Sequence, residues 1–321
     1  MIGRQVLCVA GAAILLVGLA APSAFAAPSE SSCNRACLYG FVDRYLAAIE
    51  KHDPSALPAA PGLRYTENGA DVKLGDGLWR TVTGDTPHQA RAADLKTGEV
   101  AVLGQFREGE KPVSFATRLK IDNGQIAEAE TVIGRSFTPT HPSMPAEIRP
   151  GLRTIVPESE RISRAEMIAT ANRNFDNLLH NDGSHFASDC QRIENGMPMS
   201  GNPQLHYPIT PIPGKPVPPF GSMGCQEQVE AHLFDTLDSV DPRRFVVVDE
   251  EQQVVFGVLS LRLYGRTACN DIPGYGKTCP ARETKPMSLL SAEMLGVRGG
   301  KVHEVEVVFT RMPYDAKQGW K

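Results

Sequence analysis

Leu63-Arg64-Tyr65-Thr66-Glu67-Asn68-Gly69 and Cys190-Gln191-Arg192-Ile193-Glu194-Asn195-Gly196 close on the same Glu-Asn-Gly. Each reads as a strand running into a turn, because Asn and Gly tolerate the left-handed backbone that a tight turn needs. Ahead of the first, Leu38, Phe41, Val42, Tyr45, Leu46 and Ile49 recur at helical spacing, and ahead of the second so do Met167, Ile168, Ala171, Phe175, Leu178 and Leu179. Phe41 to Gly69 and Ile168 to Gly196 are equal in length. Both helical patterns run into turns, His52-Asp53-Pro54 and His180-Asn181-Asp182-Gly183.

The likeness continues downstream. Residues 99–106, 114–121 and 126–133 read as strands, the last two joined by the hairpin signal Asn123-Gly124. Residues 254–261 and 289–297 repeat the paired strands, and residues 301–308 answer residues 125–132. Two copies of one α+β domain follow, over residues 33–136 and 159–314, joined by a Pro-containing linker at 137–158. The second copy carries two insertions, residues 198–224 and 265–286, rich in Pro and Gly. Loops of that length are usually functional or disordered.

At the N-terminus, Arg4 precedes an apolar run over residues 6–21 and the small-residue stretch Pro22-Ser23-Ala24-Phe25-Ala26. Residues 1–26 therefore read as a signal peptide, and no later stretch could span a bilayer, so the expected location is periplasmic or extracellular. Loss of Arg4 would move the formal charge from −4 to −5. With Lys and Arg scattered, the composition excludes a nucleic-acid binder. Of seven cysteines, Cys8 leaves with the leader. Spacing favours Cys33–Cys37, Cys269–Cys279 and Cys190–Cys225 as disulfides in an exported chain.

The order of two helices and then a sheet whose last strand reads Gly-x-Ile/Val-x-Glu (Gly124 to Glu128, Gly300 to Glu304) resembles the nuclear transport factor 2-like superfamily, with its SnoaL-like cyclases and ketosteroid isomerases. The opening from Cys33 to Gly69 looks like a secreted tandem family within it that has no assigned activity. The resemblance implies two tandem cone-shaped domains, each with helices on a curved antiparallel sheet. It also implies an apolar pocket for a hydrophobic or aromatic small molecule, with metal-free acid/base chemistry of the lyase or isomerase kind and no cofactor. The alternatives are a non-catalytic binding protein and a structural dimerisation module, a homodimer being compatible with either.

Strand alternation puts His303 on the face of Val305, Val307 and Phe309, opposite Met294 and Ala292. The first copy has Ala127 at the position of His303, so the fold itself does not require a histidine there. His303 and Glu194 are the expected acid/base groups, set against a core histidine and a turn-pairing glutamate. Arg192, Tyr207, Phe220 and Met294 are expected to contact ligand. His180, Asp182, His185 and Asp189 have metal-ligand chemistry, but helix termination accounts for them and no metal is expected.

Overall fold

In a computed structural model, the residues described are 1, 33–135, 147–206, 209–210, 214, 216–263, 265, 270–272, 274–280 and 285–320. The leader, Tyr207, Cys269 and the first part of the linker lie outside them. The first half comprises α1 (Arg35–Glu50), β1 (Ala59–Glu67), β2 (Ala70–Asp71), α2 (Leu78–Thr81), β3 (Gly84–Asp94), β4 (Glu99–Glu108), β5 (Lys111–Asp122) and β6 (Gln125–Arg135). The second comprises α3 (Arg164–Leu179), β7 (Phe186–Glu194), β8 (Met197–Pro198), β9 (Ile209–Thr210), α4 (Cys225–Glu230), β10 (Ser239–Asp249), β11 (Val254–Leu263), β12 (Asn270–Ile272), β13 (Gly276–Pro280), β14 (Met287–Arg298) and β15 (Lys301–Met312).

Each long helix begins at a side-chain cap, Asn34 accepting from Cys37 N and Ser163 from Glu166 N. Each is followed by a left-handed residue, His52 or Asn181, and by an aspartate, Asp53 or Asp182, that caps the next turn. The buried faces match as Leu38 to Met167, Tyr45 to Asn174 and Ile49 to Leu178. The helical faces are thus two residues out of step with the equal spacing of Phe41 and Ile168; the strands keep the Glu-Asn-Gly alignment.

The two large sheets share one strand order, β2-β1-β6-β5-β4-β3 and β8-β7-β15-β14-β11-β10. This corrects the expected antiparallel, cone-shaped domains. Each sheet is open, ending on unjoined edge strands, and mixed, because β1 runs parallel to β6 and β7 parallel to β15. Both faces of each sheet are covered, one by a helix and the other by the opposite sheet. Leu103, Ala116 and Val132 of the first sheet pack with Phe256, Ala292, Met294 and Val308 of the second. Leu152, from the second part of the linker, seals this layer.

The Glu-Asn-Gly repeat is explained by the parallel pair. Asn68 and Asn195 have φ of 49° and 45°, which turns the chain away from the strand. Their backbone N–H groups still donate to Thr131 O and Val307 O. Their side-chain oxygens accept from Ile133 N and Phe309 N, at 2.7 and 2.9 Å, where a further strand residue would have stood.

The halves meet reciprocally. Arg35 of α1 donates to Asp249 at the end of β10, while Arg164 of α3 donates to Asp94 at the end of β3. Asp249 also accepts from Ala93 N, and Asp94 from Val248 N. Glu130 takes Arg244 from the other half and Glu306 takes His88, all four between the sheets. Such a self-complementary pattern is that of a two-fold interface, here made within one chain.

Candidate functional site

The same strand positions have different contents in the two halves. In the first, Tyr45, Tyr65, Phe106 and Phe115 fill the space between α1 and the sheet. Phe106 stacks on Phe115 with ring centroids 4.1 Å apart, and Tyr45 meets Trp79 edge to face at 5.6 Å. Thr117 and Thr131 bond to each other at 2.9 Å below Tyr45. The sheet registers place Arg192, Leu261, Ser291, Glu293 and Val307 at the corresponding positions of the second half, and the matching buried faces of α1 and α3 place Asn174 where Tyr45 stands. Smaller and polar side chains stand where aromatic rings stood, and a cavity of about 170 Å³ opens there.

Its walls are α3, β7, β11, β14, β15 and the segment 234–237, mostly apolar. Three ionisable side chains among the described residues line it. Arg192 Nε is 3.3 Å from Glu194 Oε1, and the guanidinium lies 4.8 Å from the Phe234 ring centroid. Glu293, from β14, is 6% exposed, and its Oε1 accepts a hydrogen bond from Ser291 Oγ at 2.9 Å. Burial pushes the Glu293 carboxyl up to about 7; the Ser291 bond and Arg192 oppose this, and Glu194 adds to it. A carboxyl that changes charge near neutrality, on the same sheet face as a second carboxylate in an apolar cavity, can donate and take back a proton.

Behind the α3 wall, Asn174 Oδ1 is 3.0 Å from His185 Nε2. Burial holds His185 down to about 4, so the imidazole is neutral and serves to orient Asn174. The Cys190–Cys225 disulfide ties β7 to α4 beside the site, and Cys33–Cys37 closes the start of α1. The expected Cys269–Cys279 pair involves a residue outside the described ones.

Of the residues singled out from the sequence, Arg192 and Glu194 are brought together on the cavity wall. His303 is not. The register of β15 shifts between Val302 and Glu304, and the bulge breaks the alternation that would have put His303 with Val305. Its Nδ1 instead lies 2.7 Å from Asp189 Oδ1, in a partly exposed position. Met294 pairs with Glu306 and is buried between the sheets, on the far face from the cavity. Phe220 packs with Ala231 and Ile272 under the insertion.

His180, Asp182, His185 and Asp189 serve different partners. His180 meets Asp176 O, Asp182 caps Ser184 N, His185 meets Asn174 and Asp189 meets His303. Among the described residues no group of three or more His, Cys, Asp or Glu could hold a metal ion, and no helix is long and apolar enough to cross a membrane.

Residues 160–309, which include every wall of the cavity, match a family model described as a Domain of unknown function (DUF8021). No curated protein matches the chain significantly. Among solved structures, a protein of unknown function with cystatin-like fold from Methylobium petroleophilum is similar at 17% identity, over 33% of this chain and 82% of that one, with a TM-score of 0.27. A steroid delta-isomerase from Pseudomonas aeruginosa is similar at 14% identity over 33% of this chain and 84% of its own, TM-score 0.25. An NTF2-like protein from Burkholderia thailandensis is similar at 21% identity over 30% and 89%, TM-score 0.24.

Proposed function

We propose that the second half of the chain is a binding module for one small, mostly apolar molecule, with the polar end of that molecule at Arg192, Glu194 and Glu293. The observation that carries this reading is the cavity itself, open at the place where the first half is packed solid with aromatic rings. Its size selects the ligand. An apolar cavity of about 150 Å³ is enough for benzene, whereas drug-sized ligands occupy roughly 300–1,000 Å³. At about 170 Å³ the site suits a single ring or a short branched chain, and is too small for a polycyclic molecule. Two disulfides support placing this module in an oxidising compartment outside the cytoplasm.

A second reading is favoured by one feature, the two carboxyls of Glu293 and Glu194 on one sheet face, either side of Val307. In it the bound molecule undergoes a metal-free lyase or isomerase reaction, with Glu293 as proton donor and Glu194 as base. Thermal-shift and calorimetric titration of the full oxidised chain against phenol, indole and a steroid tests the size argument. Phenol-sized probes are expected to bind and the steroid to leave the protein unchanged. Preferential binding of the steroid would overturn the reading. Conversion of a bound probe, followed by mass spectrometry, would move the conclusion to the enzyme.

A further inference from the structure

Resting on the binding pocket just proposed, we infer that its ligand is a small monocation, an aromatic or alkyl amine of about one ring, whose ammonium group sits against Glu293 and Glu194. The argument is one of charge and of hydrogen-bond partners. Among the described residues two carboxylates and one guanidinium line the cavity; α3, β11, β15 and the segment 234–237 contribute no ionisable side chain to it. The cation among these described residues, Arg192, is held against Glu194 and the Phe234 ring. Among the described residues Glu293 is therefore the carboxyl without an ion-pair partner, in a side chain only 6% exposed. One of its oxygens accepts from Ser291, and the other has no hydrogen bond among the described residues although the side chain lines the cavity. A buried carboxylate in that state needs a proton or another cation.

An ammonium ion supplies both the positive charge and the donors that the free oxygen lacks. Its organic part meets walls of Leu, Val and Phe. An anionic ligand would instead bring a third negative charge beside two carboxylates, and an alcohol would leave the proton on Glu293. The amine takes the place of that proton, so its binding releases on average about half a proton at pH 7 and nearly a whole one at pH 6. Because burial puts the carboxyl near 7, its ionised share is about nine-tenths at pH 8 and about one-tenth at pH 6. Binding of a cation at this site should weaken by about tenfold across that interval.

The test uses the full oxidised chain, with calorimetric titration of benzylamine, benzyl alcohol and benzoate at pH 6 and pH 8. Benzylamine stays protonated at both. At pH 8 it is expected to bind at least about tenfold more tightly than benzyl alcohol, with benzoate not binding. Its affinity should fall about tenfold at pH 6 while that of benzyl alcohol stays level. In Glu293→Gln, which keeps the shape of the side chain, benzylamine should lose its advantage over benzyl alcohol and its affinity should no longer change between pH 6 and pH 8. If benzyl alcohol or benzoate binds wild type at pH 8 as tightly as benzylamine does, the amine inference falls and the pocket stands. If no probe binds at either pH, the pocket reading itself falls.

Discussion

Asp249→Ala is expected to destabilise the protein by about 3–5 kcal/mol in urea unfolding, a large part of the roughly 5–15 kcal/mol that holds most domains folded. Asp249 is fully buried where the two halves meet. Its carboxylate accepts from both Nη atoms of Arg35, at 2.5 and 2.6 Å, and from the backbone N–H of Ala93, Glu251 and Gln252. Truncation takes from the Arg35 guanidinium its fully buried partner, leaving it Glu251 and Gln252, and strands the backbone donors of Ala93, Glu251 and Gln252, and the cost follows from those groups. The neighbouring Glu251 contacts the same guanidinium from an exposed position. Glu251→Ala should therefore cost under about 1 kcal/mol. If the two variants were equally mild, the reciprocal ion pairs would not be what locks the halves together.

Glu293→Gln should act with the opposite sign and only at higher pH. The folded-state carboxyl titrates near 7 against its ordinary 4.5. Its stabilising contribution, that of the protonated form, is complete below 4.5 and is lost as pH rises through about 7. Gln cannot ionise and escapes that loss. The interval from 4.5 to about 7, at 1.36 kcal/mol for each pH unit, amounts to roughly 3 kcal/mol. Urea unfolding without ligand should show the variant more stable than wild type by up to that amount at pH 8 and nearly equal at pH 4.5. A variant weaker than wild type at pH 8 would mean that the ionised carboxylate has a compensating partner in the folded state.

The repeat was readable because Asn68 and Asn195 do one mechanical job that tolerates few other residues. They leave the strand in a left-handed turn and still satisfy the next strand position with a side chain. Arg192 and Glu194, which line the cavity, stand out in the sequence because they belong to that motif. Glu293 was missed, although it is the only charge between Met287 and Arg298 in a strand that is apolar on both faces. That pattern was itself the signal, since a charge so placed has to be answered within the fold.

His303 and Met294 were misjudged for a local reason. Strict alternation fails where β15 bulges between Val302 and Glu304, and one extra residue moves every earlier side chain to the other face. The sheet-on-sheet layer has a trace too. The unbroken apolar run from Val254 to Leu259 in β11 is that of a strand covered on both sides. What no local pattern shows is the emptiness of the cavity. That follows only from setting Phe115 beside Ser291 and Tyr65 beside Arg192 once the strand registers are known.

The most direct measurement is ligand titration of Ser291→Phe beside wild type, because this substitution copies into the second half the ring that Phe115 provides in the first. Phe115 lies opposite Ile133 as Ser291 lies opposite Phe309, so a phenyl group should enter the cavity of about 170 Å³ and occupy much of it. The account predicts that wild type binds a one-ring probe and that the folded variant binds it at least about a hundredfold more weakly. Undiminished binding to a folded Ser291→Phe protein would contradict it and put the ligand elsewhere in the chain.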